Sequence, residues 1–339
     1  MQTFSTRYAE KRTELDAARI FDLVRDEMRL VEAEFERQAR SNVQVISYLG
    51  NYLQASGGKR VRPSLLILAN KAVGGAGSSD NVIRLATVME MIHTATLVHD
   101  DIIDNAATRR NRVSVNAKFG NQVAVLMGDW LYMSAFKTSL KEKSLEILNI
   151  LTELTRRMTE GELIQLTMLG RSDISESEYF DILRRKTAYL FSACCEIGAI
   201  LAGSDPQTRL ALKDYGMNMG TAFQLADDVL DFTAEKEALG KASGADLLEG
   251  KLTLPLILLV KEEPEVTPLL EGIMRQGRYK EGVRENLLRR ISEFGALSKT
   301  RETAHKYADQ ARKNLESLPK TRYGDALGEI PTLMINRSK

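Results

Sequence analysis

Residues 98–110 of the chain read VHDDIIDNAATRR, and residues 224–232 read QLADDVLDF. Each stretch gathers three aspartates within five residues, inside an apolar run of helical character. Carboxylates this close repel one another and lose hydration in apolar surroundings, so each cluster destabilises the fold unless a cation offsets it. The pattern therefore indicates two sites that bind cations.

The spacing of these aspartates favours bound metal. The clusters consist of Asp100, Asp101 and Asp104, and of Asp227, Asp228 and Asp231. In each cluster the first and last aspartates are four residues apart and share one helix face, with the middle one to the side. Solvated helix ends would be a plainer interpretation, but both clusters lie among apolar residues. Carboxylate oxygens so arranged suit Mg²⁺, which keeps several waters and completes its shell with phosphate oxygens.

The composition excludes several classes of protein. The chain has 339 residues, 43% hydrophobic content and a formal net charge of +1, which gives no basic footprint for nucleic acid. The adjacent Cys194 and Cys195 have poor geometry for a disulfide and are predicted to be reduced core thiols. The run LTLPLILLV at residues 252–260 is too short to cross a bilayer. We therefore expect a soluble, cytoplasmic protein without a nucleic-acid partner.

Helical periodicity dominates the chain. Apolar residues recur at i, i+3, i+4 and i+7 in residues 15–38, 81–105, 122–140, 145–168, 176–201, 207–232, 283–294 and 299–318. The breaks are short and polar, and we find no long linker or internal repeat. The sequence predicts a single all-α domain over residues 1–339, in which the two acidic faces can meet across a helical bundle.

Positive charge is concentrated near glycines and the acidic clusters. The basic groups are Lys59, Arg60 and Arg62 after a glycine pair, Arg109 and Arg110 after the first cluster, and Lys241 and Lys251 after the second. Each residue alone is typical of a solvated surface. Together they predict a pocket for polyanions bridged by metal.

Five motifs together resemble a known family. They are SGGKRVRP (56–63), MIHTATLVHDDIIDNAATRR (91–110), KTAYLF (186–191), FQLADDVLDF (223–232) and GKASGADLLEGKLTLP (240–255). In this order and at these separations they resemble the trans-type isoprenyl diphosphate synthases, especially the bacterial long-chain polyprenyl synthases. One aspartate motif would be weak support, but five ordered motifs are specific, and the resemblance runs from about residue 20 to the C-terminus.

The resemblance implies a fold and a reaction. The expected fold is a single-domain, isoprenoid-synthase-type helical bundle around a deep central cavity, forming a homodimer. The expected reaction condenses an allylic diphosphate with isopentenyl diphosphate head to tail, with three Mg²⁺ ions per active site. Pyrophosphate leaves, an allylic carbocation forms, and the released pyrophosphate removes the final proton, so no protein base is required. Membrane contact is at most peripheral, for release of an octaprenyl-like product that serves quinone biosynthesis.

The resemblance also assigns roles to residues. Metal binding falls to Asp100, Asp104, Asp227 and Asp231, while Asp101 and Asp228 support the metals and, with Lys186, Thr187 and Gln224, form the catalytic set. The residues expected to bind the allylic diphosphate are Arg109, Lys186, Thr187, Gln224, Lys241 and Lys251. The residues expected to bind isopentenyl diphosphate are Lys59, Arg62, His93 and Arg110. The small residues Ala95 and Thr96, below the first cluster, leave room for a long product, with Leu151 and Met158 as candidate floor residues.

Several alternatives stay open from the sequence. His93 could instead be a hydrogen-bonded core histidine, and Ala95 and Thr96 could merely permit close helix packing. The enzyme could be a short-chain farnesyl or geranylgeranyl diphosphate synthase. A class I terpene cyclase also uses an aspartate-rich motif with Mg²⁺, but its second metal motif differs from DDVLDFTAE at residues 227–235. A noncatalytic synthase subunit would be expected to have lost carboxylates from one cluster.

Overall fold

The computed structural model describes residues 18–55, 57–110, 112–233 and 244–336. Within these ranges the α-helices are α1 (Arg25–Ala39), α2 (Gln44–Gln54), α3 (Val61–Ala72), α4 (Asp80–Ile103), α5 (Val115–Phe119), α6 (Asn121–Ser139), α7 (Leu145–Met168), α8 (Glu176–Leu183), α9 (Tyr189–Leu201), α10 (Pro206–Thr233), α11 (Ala245–Leu248), α12 (Leu254–Glu262), α13 (Thr267–Gln276), α14 (Val283–Glu293), α15 (Ala296–Asn314) and α16 (Arg322–Ile335). Residues 18–22 are also helical.

The remaining regular elements are short. Two 3₁₀ turns cover Leu140–Glu142 and Pro264–Val266, and a π-helical turn, Arg184–Ala188, joins α8 to α9. Strand structure in the described ranges is confined to β1 (Thr108–Arg109) and β2 (Arg112–Val113), which pair antiparallel. The all-α fold class predicted from the sequence is confirmed.

The helical segments predicted from periodicity are present, with two differences. The segment at residues 176–201 is helical throughout but contains the π turn, and the segment at 15–38 is interrupted at Leu23–Val24. Residues 15–17 lie outside the described part of the chain. Helix α3 lacked an amphipathic signal because Leu65, Leu66, Ile67 and Leu68 are all fully buried, which leaves no polar face.

The helices pack around two apolar clusters. The larger cluster joins α1, α3, α4, α6, α7, α9 and the first half of α10. The smaller cluster joins α8, the end of α10 and helices α12 to α15. The long helix α10 contributes to both, packing against α9 and α15. Cys194 and Cys195 are free, fully buried thiols in the larger cluster, as predicted.

Candidate active site

A cavity of about 370 Å³ opens between the two apolar clusters. Its wall contains eleven side chains assigned above by resemblance: Arg62, His93, Thr96, Asp100, Arg109, Lys186, Thr187, Gln224, Asp227, Asp228 and Lys251. They come from α3, α4, β1, the π turn, α10 and the segment after α11. The structure therefore brings residues nearly 190 positions apart to one site, with carboxylates and cations facing the same space.

The carboxylates of this site are held away from water. Burial raises the pKa of Asp100 to about 6, with Glu162 and Asp104 adding to the effect. Burial also raises the pKa of Asp231 to about 7, with Asp246 adding to it, and raises that of Asp228 well above its usual range. A carboxylate cluster with such raised pKa values is short of positive charge.

One oxygen of the second cluster is available to bind a cation. Asp231 accepts a hydrogen bond at Oδ1 from the backbone N–H of Ala245, 3.1 Å away, but its buried Oδ2 has no hydrogen-bond partner in the described ranges. Among those residues, no three acidic, histidine or cysteine side chains gather closely enough to hold a metal ion alone. That donor set fits Mg²⁺, which takes one or two carboxylates and finds its other oxygens in water and phosphate.

Two cations of the site are paired with the first acidic cluster. The Nε of Arg109 lies 2.6 Å from Asp101, which is 5% exposed. The ammonium of Lys251 lies 3.1 Å from Asp104 and 2.7 Å from Glu249. Burial disfavours the charged form of Lys251, yet the two carboxylates outweigh it and hold the Lys251 pKa above its usual range. Asp101 therefore orients a guanidinium in this structure.

A carboxylate and an amide of α7 hold Lys186. Its ammonium lies 2.6 Å from Glu162 and donates to the side-chain oxygen of Gln165. Gly161 permits this approach, since a Cβ there would lie 2.6 Å from the Cβ of Arg185 on the π turn. The close contact of α7 with the π turn thus directs Lys186 toward the cavity.

A chain of hydrogen bonds connects the π turn to the second cluster. The hydroxyl of Thr187 donates to Oε1 of Gln224 over 2.9 Å, and Nε2 of Gln224 donates to Oδ1 of Asp228 over 3.1 Å. The buried phenol of Tyr179, on α8, donates to the other oxygen of Asp228. Both oxygens of Asp228 are therefore engaged by neutral donors.

Arg62 and His93 also line the cavity. In the described ranges Arg62 has no ion pair; its Nε is buried without a hydrogen-bond partner, and its guanidinium stacks 4.8 Å from the ring centre of Phe191. Burial, with four surrounding arginines, lowers the pKa of His93 well below its usual range, so its imidazole is neutral. An arginine that lines a cavity and has no ion pair in the described ranges fits an anionic ligand.

A neighbouring pocket contains the remaining predicted arginine. Arg110 lines it together with Arg60, and its guanidinium donates to the carbonyl of Gly57. A side chain at Gly58 would collide with that guanidinium, so a glycine at this position permits the approach. Arg60 is bound to the buried Glu90, with Nη1 2.6 Å from its carboxylate.

Only some of the other predicted residues line the cavity. Lys59 is exposed and is not among the residues that line either pocket, and Lys241 lies outside the described residues. Thr96 and Met158 line the cavity. Ala95 and Leu151 are fully buried in the larger apolar cluster and do not line it. On an ideal helix Ala95, five residues before Asp100, is turned about 140° away from it, whereas Thr96, four before, shares its face.

Sequence reasoning missed several partners of the site: Tyr179, Glu162, Glu90 and Asp246. A signal existed for three of them. Glu90 precedes His93 by one helical turn, Tyr179 lies seven residues before Lys186, and Glu162 shares a face with Gln165. Each is an ordinary residue of a helical segment, so the sequence pattern did not single it out.

The helical bundle thus places aspartates of both acidic clusters and several basic side chains around one cavity. The family described as polyprenyl synthetase matches residues 43–291. The octaprenyl diphosphate synthase of Escherichia coli (strain K12) is 38% identical over 326 residues, covering 96% of this chain and 100% of that protein. The chain belongs to the polyprenyl synthetase family and is a prenyltransferase, which confirms the resemblance.

Other relatives agree with this assignment. The all-trans-nonaprenyl-diphosphate synthase (geranyl-diphosphate specific) of Rhodobacter capsulatus is 36% identical, over 88% of this chain and 90% of that protein. A solved structure of a polyprenyl synthase from Caulobacter crescentus CB15, complexed with calcium and isoprenyl diphosphate, matches with a TM-score of 0.89. It is 36% identical and covers 95% of this chain and 98% of that chain. None of the helices in the described ranges is long and apolar enough to cross a membrane.

Proposed function

We propose that the protein is a long-chain trans-polyprenyl diphosphate synthase, which condenses an allylic diphosphate with isopentenyl diphosphate head to tail and favours an octaprenyl product. The observation that carries the proposal is the position of Arg62. Arg62 lines the same cavity as Asp100 and Asp227 and has no ion pair in the described ranges, which supports an anion site beside the acidic clusters. Octaprenyl and nonaprenyl synthases among the relatives support a long product.

Mg²⁺, with three ions per active site, is the proposed cofactor. When bound, Mg²⁺ would supply positive charge that favours the departure of pyrophosphate. Asp100, Asp104, Asp227 and Asp231 would hold it, and the unpartnered oxygen of Asp231 supports this assignment. The Caulobacter crescentus structure, with calcium and isoprenyl diphosphate, supports a divalent ion in the family.

The protein's own side chains divide the remaining work. Lys186 and Arg109 bind the allylic diphosphate and stabilise the charge that develops on it as it leaves. Lys251 supplies further positive charge, with Lys241 as a second candidate outside the described residues. The oxygens of Thr187 and Gln224 face the developing carbocation, since a full carboxylate there could trap it. Neutral hydrogen-bond acceptors stabilise the cation without reacting with it.

A second group of side chains binds isopentenyl diphosphate. Arg62 and Arg110 would hold its two phosphates, with the exposed Lys59 at the entrance. The neutral imidazole of His93 can donate one further hydrogen bond without adding to the crowded positive charge. Because released pyrophosphate can accept the final proton, no side chain is required as general base.

Two other functions are less well supported. A class I terpene cyclase needs one diphosphate site, whereas cations line both the main cavity and the pocket around Arg110. A noncatalytic synthase subunit would have no need for two complete acidic clusters, and both are complete here. A short-chain synthase shares all these features and is separated only by its product.

We also propose a homodimer in the cytoplasm, with at most peripheral membrane contact for product release. Large apolar side chains are exposed on α6 and α7: Leu126 is 68% exposed, Met133 62%, Leu145 84% and Leu163 58%. A second copy of the chain would cover them, and sedimentation would give twice the monomer mass of 37.9 kDa. A monomer at micromolar concentration would contradict this assembly.

The test of function is product analysis. Purified protein is incubated with labelled isopentenyl diphosphate, Mg²⁺ and geranyl, farnesyl or geranylgeranyl diphosphate, and product length is read by chromatography. We expect all-trans long chains with octaprenyl most abundant. Products that stop at farnesyl or geranylgeranyl diphosphate would indicate the short-chain synthase, a cyclic hydrocarbon would indicate the cyclase, and no product would indicate the noncatalytic subunit.

A further inference from the structure

We propose that Tyr179 is a positioning residue that fixes, through Asp228, the direction in which Gln224 and its partner hydroxyl present their dipoles to the cavity. The inference rests on the proposed function and deepens it. It gives the buried middle aspartate of the second cluster a task other than metal binding. It is argued from the hydrogen-bond chain that runs from α8 to the π turn.

The donors of the chain converge on Asp228. The phenol of Tyr179 and Nε2 of Gln224 each donate to a different oxygen of Asp228. The hydroxyl of Thr187 donates to Oε1 of Gln224. Asp228 therefore accepts from Tyr179 on one side and from Gln224 on the other, and Thr187 is the end of the chain on the Gln224 side.

The contacts on its two sides orient the amide of Gln224. Its NH₂ group donates to Asp228, and a side-chain amide has one oxygen to present on its other side. The side-chain oxygen of Gln224 then faces Thr187 and accepts a hydrogen bond from its hydroxyl group. Thr187 and Gln224 both line the cavity, so their oxygens are what a substrate meets there. Tyr179 satisfies the second oxygen of Asp228, which would otherwise be free to rotate toward other donors.

The π turn makes this arrangement possible. Tyr179 and Thr187 are eight residues apart, which on an ideal α-helix places them roughly 80° apart around the axis. The turn at Arg184–Ala188 adds one residue to the helical repeat. Eight residues then behave like seven, which brings the two side chains to within about 20°. Gln224 and Asp228, one turn apart on α10, meet them as a matched pair.

The four side chains are protected from water to different degrees. Tyr179 is 7% exposed and Asp228 2% exposed, whereas Thr187 and Gln224 are half-buried at the cavity wall. All four side chains line the cavity, and the less exposed pair, Tyr179 and Asp228, orients the half-buried pair, Thr187 and Gln224. Low accessibility prevents water from supplying alternative partners that would let the amide turn over.

The test compares Tyr179→Phe with Tyr215→Phe. Both substitutions remove one phenolic hydroxyl from a buried tyrosine; Tyr215 donates to the carbonyl of Leu327 over 2.7 Å and does not line the cavity. We measure kcat and the KM for each substrate, together with the melting temperature. Tyr179→Phe should lower kcat roughly 10- to 100-fold with little change in the KM for isopentenyl diphosphate. Tyr215→Phe should keep the wild-type kcat.

A double substitution separates positioning from general weakening. If one chain carries the effect, Tyr179→Phe combined with Thr187→Val should be barely slower than Thr187→Val alone. Losses that multiply, a wild-type kcat in Tyr179→Phe, or a kcat loss in Tyr215→Phe equal to that in Tyr179→Phe would overturn the inference. Wild-type protein that makes no condensation product would instead overturn the proposed function, and the inference with it.

Discussion

The ammonium of Lys251 lies 3.1 Å from a carboxylate oxygen of Asp104, although the two residues are 147 positions apart. The segment that follows the second acidic cluster thus closes against the end of the first. Lys251 is also bound to Glu249 and is only 15% exposed. This lysine is therefore a fixed positive charge between acidic groups that would otherwise repel one another.

Replacing Lys251 by methionine keeps most of its volume and removes that charge. We expect kcat/KM for the allylic diphosphate to decrease about 100-fold, because a preorganised cation beside the leaving group is lost. Lys261→Met is the matched control, since Lys261 is 70% exposed and pairs at 3.3 Å with Glu176. Equal activities of the two variants would contradict the role of Lys251.

Metal removal should abolish turnover. Excess EDTA is expected to stop product formation, and added Mg²⁺ to restore it, because the acidic clusters need cations to bind diphosphate. Asp100→Ala and Asp227→Ala should each lower kcat by at least about 10³-fold while circular dichroism retains the helical signal. Wild-type turnover in EDTA would be incompatible with the proposed mechanism.

Two arginines of one motif should respond in opposite ways. Arg62 has no ion pair in the described ranges, whereas Arg60 is bound to Glu90, which is 5% exposed. Arg62→Ala should raise the KM for isopentenyl diphosphate by about 10- to 100-fold and leave stability nearly unchanged. Arg60→Ala should lower the free energy of unfolding by about 3 kcal/mol, because it leaves a buried carboxylate unpaired. Urea unfolding and initial rates measure the two effects; the reverse pattern would refute the assignment.

These contrasts indicate what sequence can and cannot predict here. The helical period and the four-residue spacing of Asp100 and Asp104 depend only on local geometry, so the fold class and the acidic faces follow from the sequence. The pairing of Lys251 with Asp104 depends on how distant helices pack. The π turn at Arg184–Ala188 has no compositional signal, and an ideal helix would separate Tyr179 from Thr187.

The stability of the metal-free protein should depend on pH through Asp231. Burial raises its pKa to about 7 from an ordinary value of 3.8, so the folded state keeps a proton that the unfolded state has released. The contribution of Asp231 to the free energy of unfolding is therefore largest below pH 3.8, and it is lost as the pH rises through about 7. In EDTA, Asp231→Asn should therefore raise the melting temperature at pH 8 and leave it nearly unchanged at pH 4. A larger rise in melting temperature at pH 4 than at pH 8 would contradict this direction of the pH dependence.

Product length should respond to the size of the side chain that lies one helical turn before Asp100. Thr96 lines the cavity, so Thr96→Phe should fill it and shift the product from long chains toward farnesyl or geranylgeranyl diphosphate, with activity retained. Ala95 is fully buried in the apolar cluster beside the cavity, and the path that we propose for a long tail runs into that cluster. We therefore expect Ala95→Phe to shorten the product as well, with a larger fall in melting temperature because it overpacks the core. Thr96→Val, which conserves volume, should keep the wild-type product. An unchanged long product from an active, folded Thr96→Phe would mean that the chain grows along a different path, and shortening by Thr96→Phe alone would confine the path to the Thr96 face of α4.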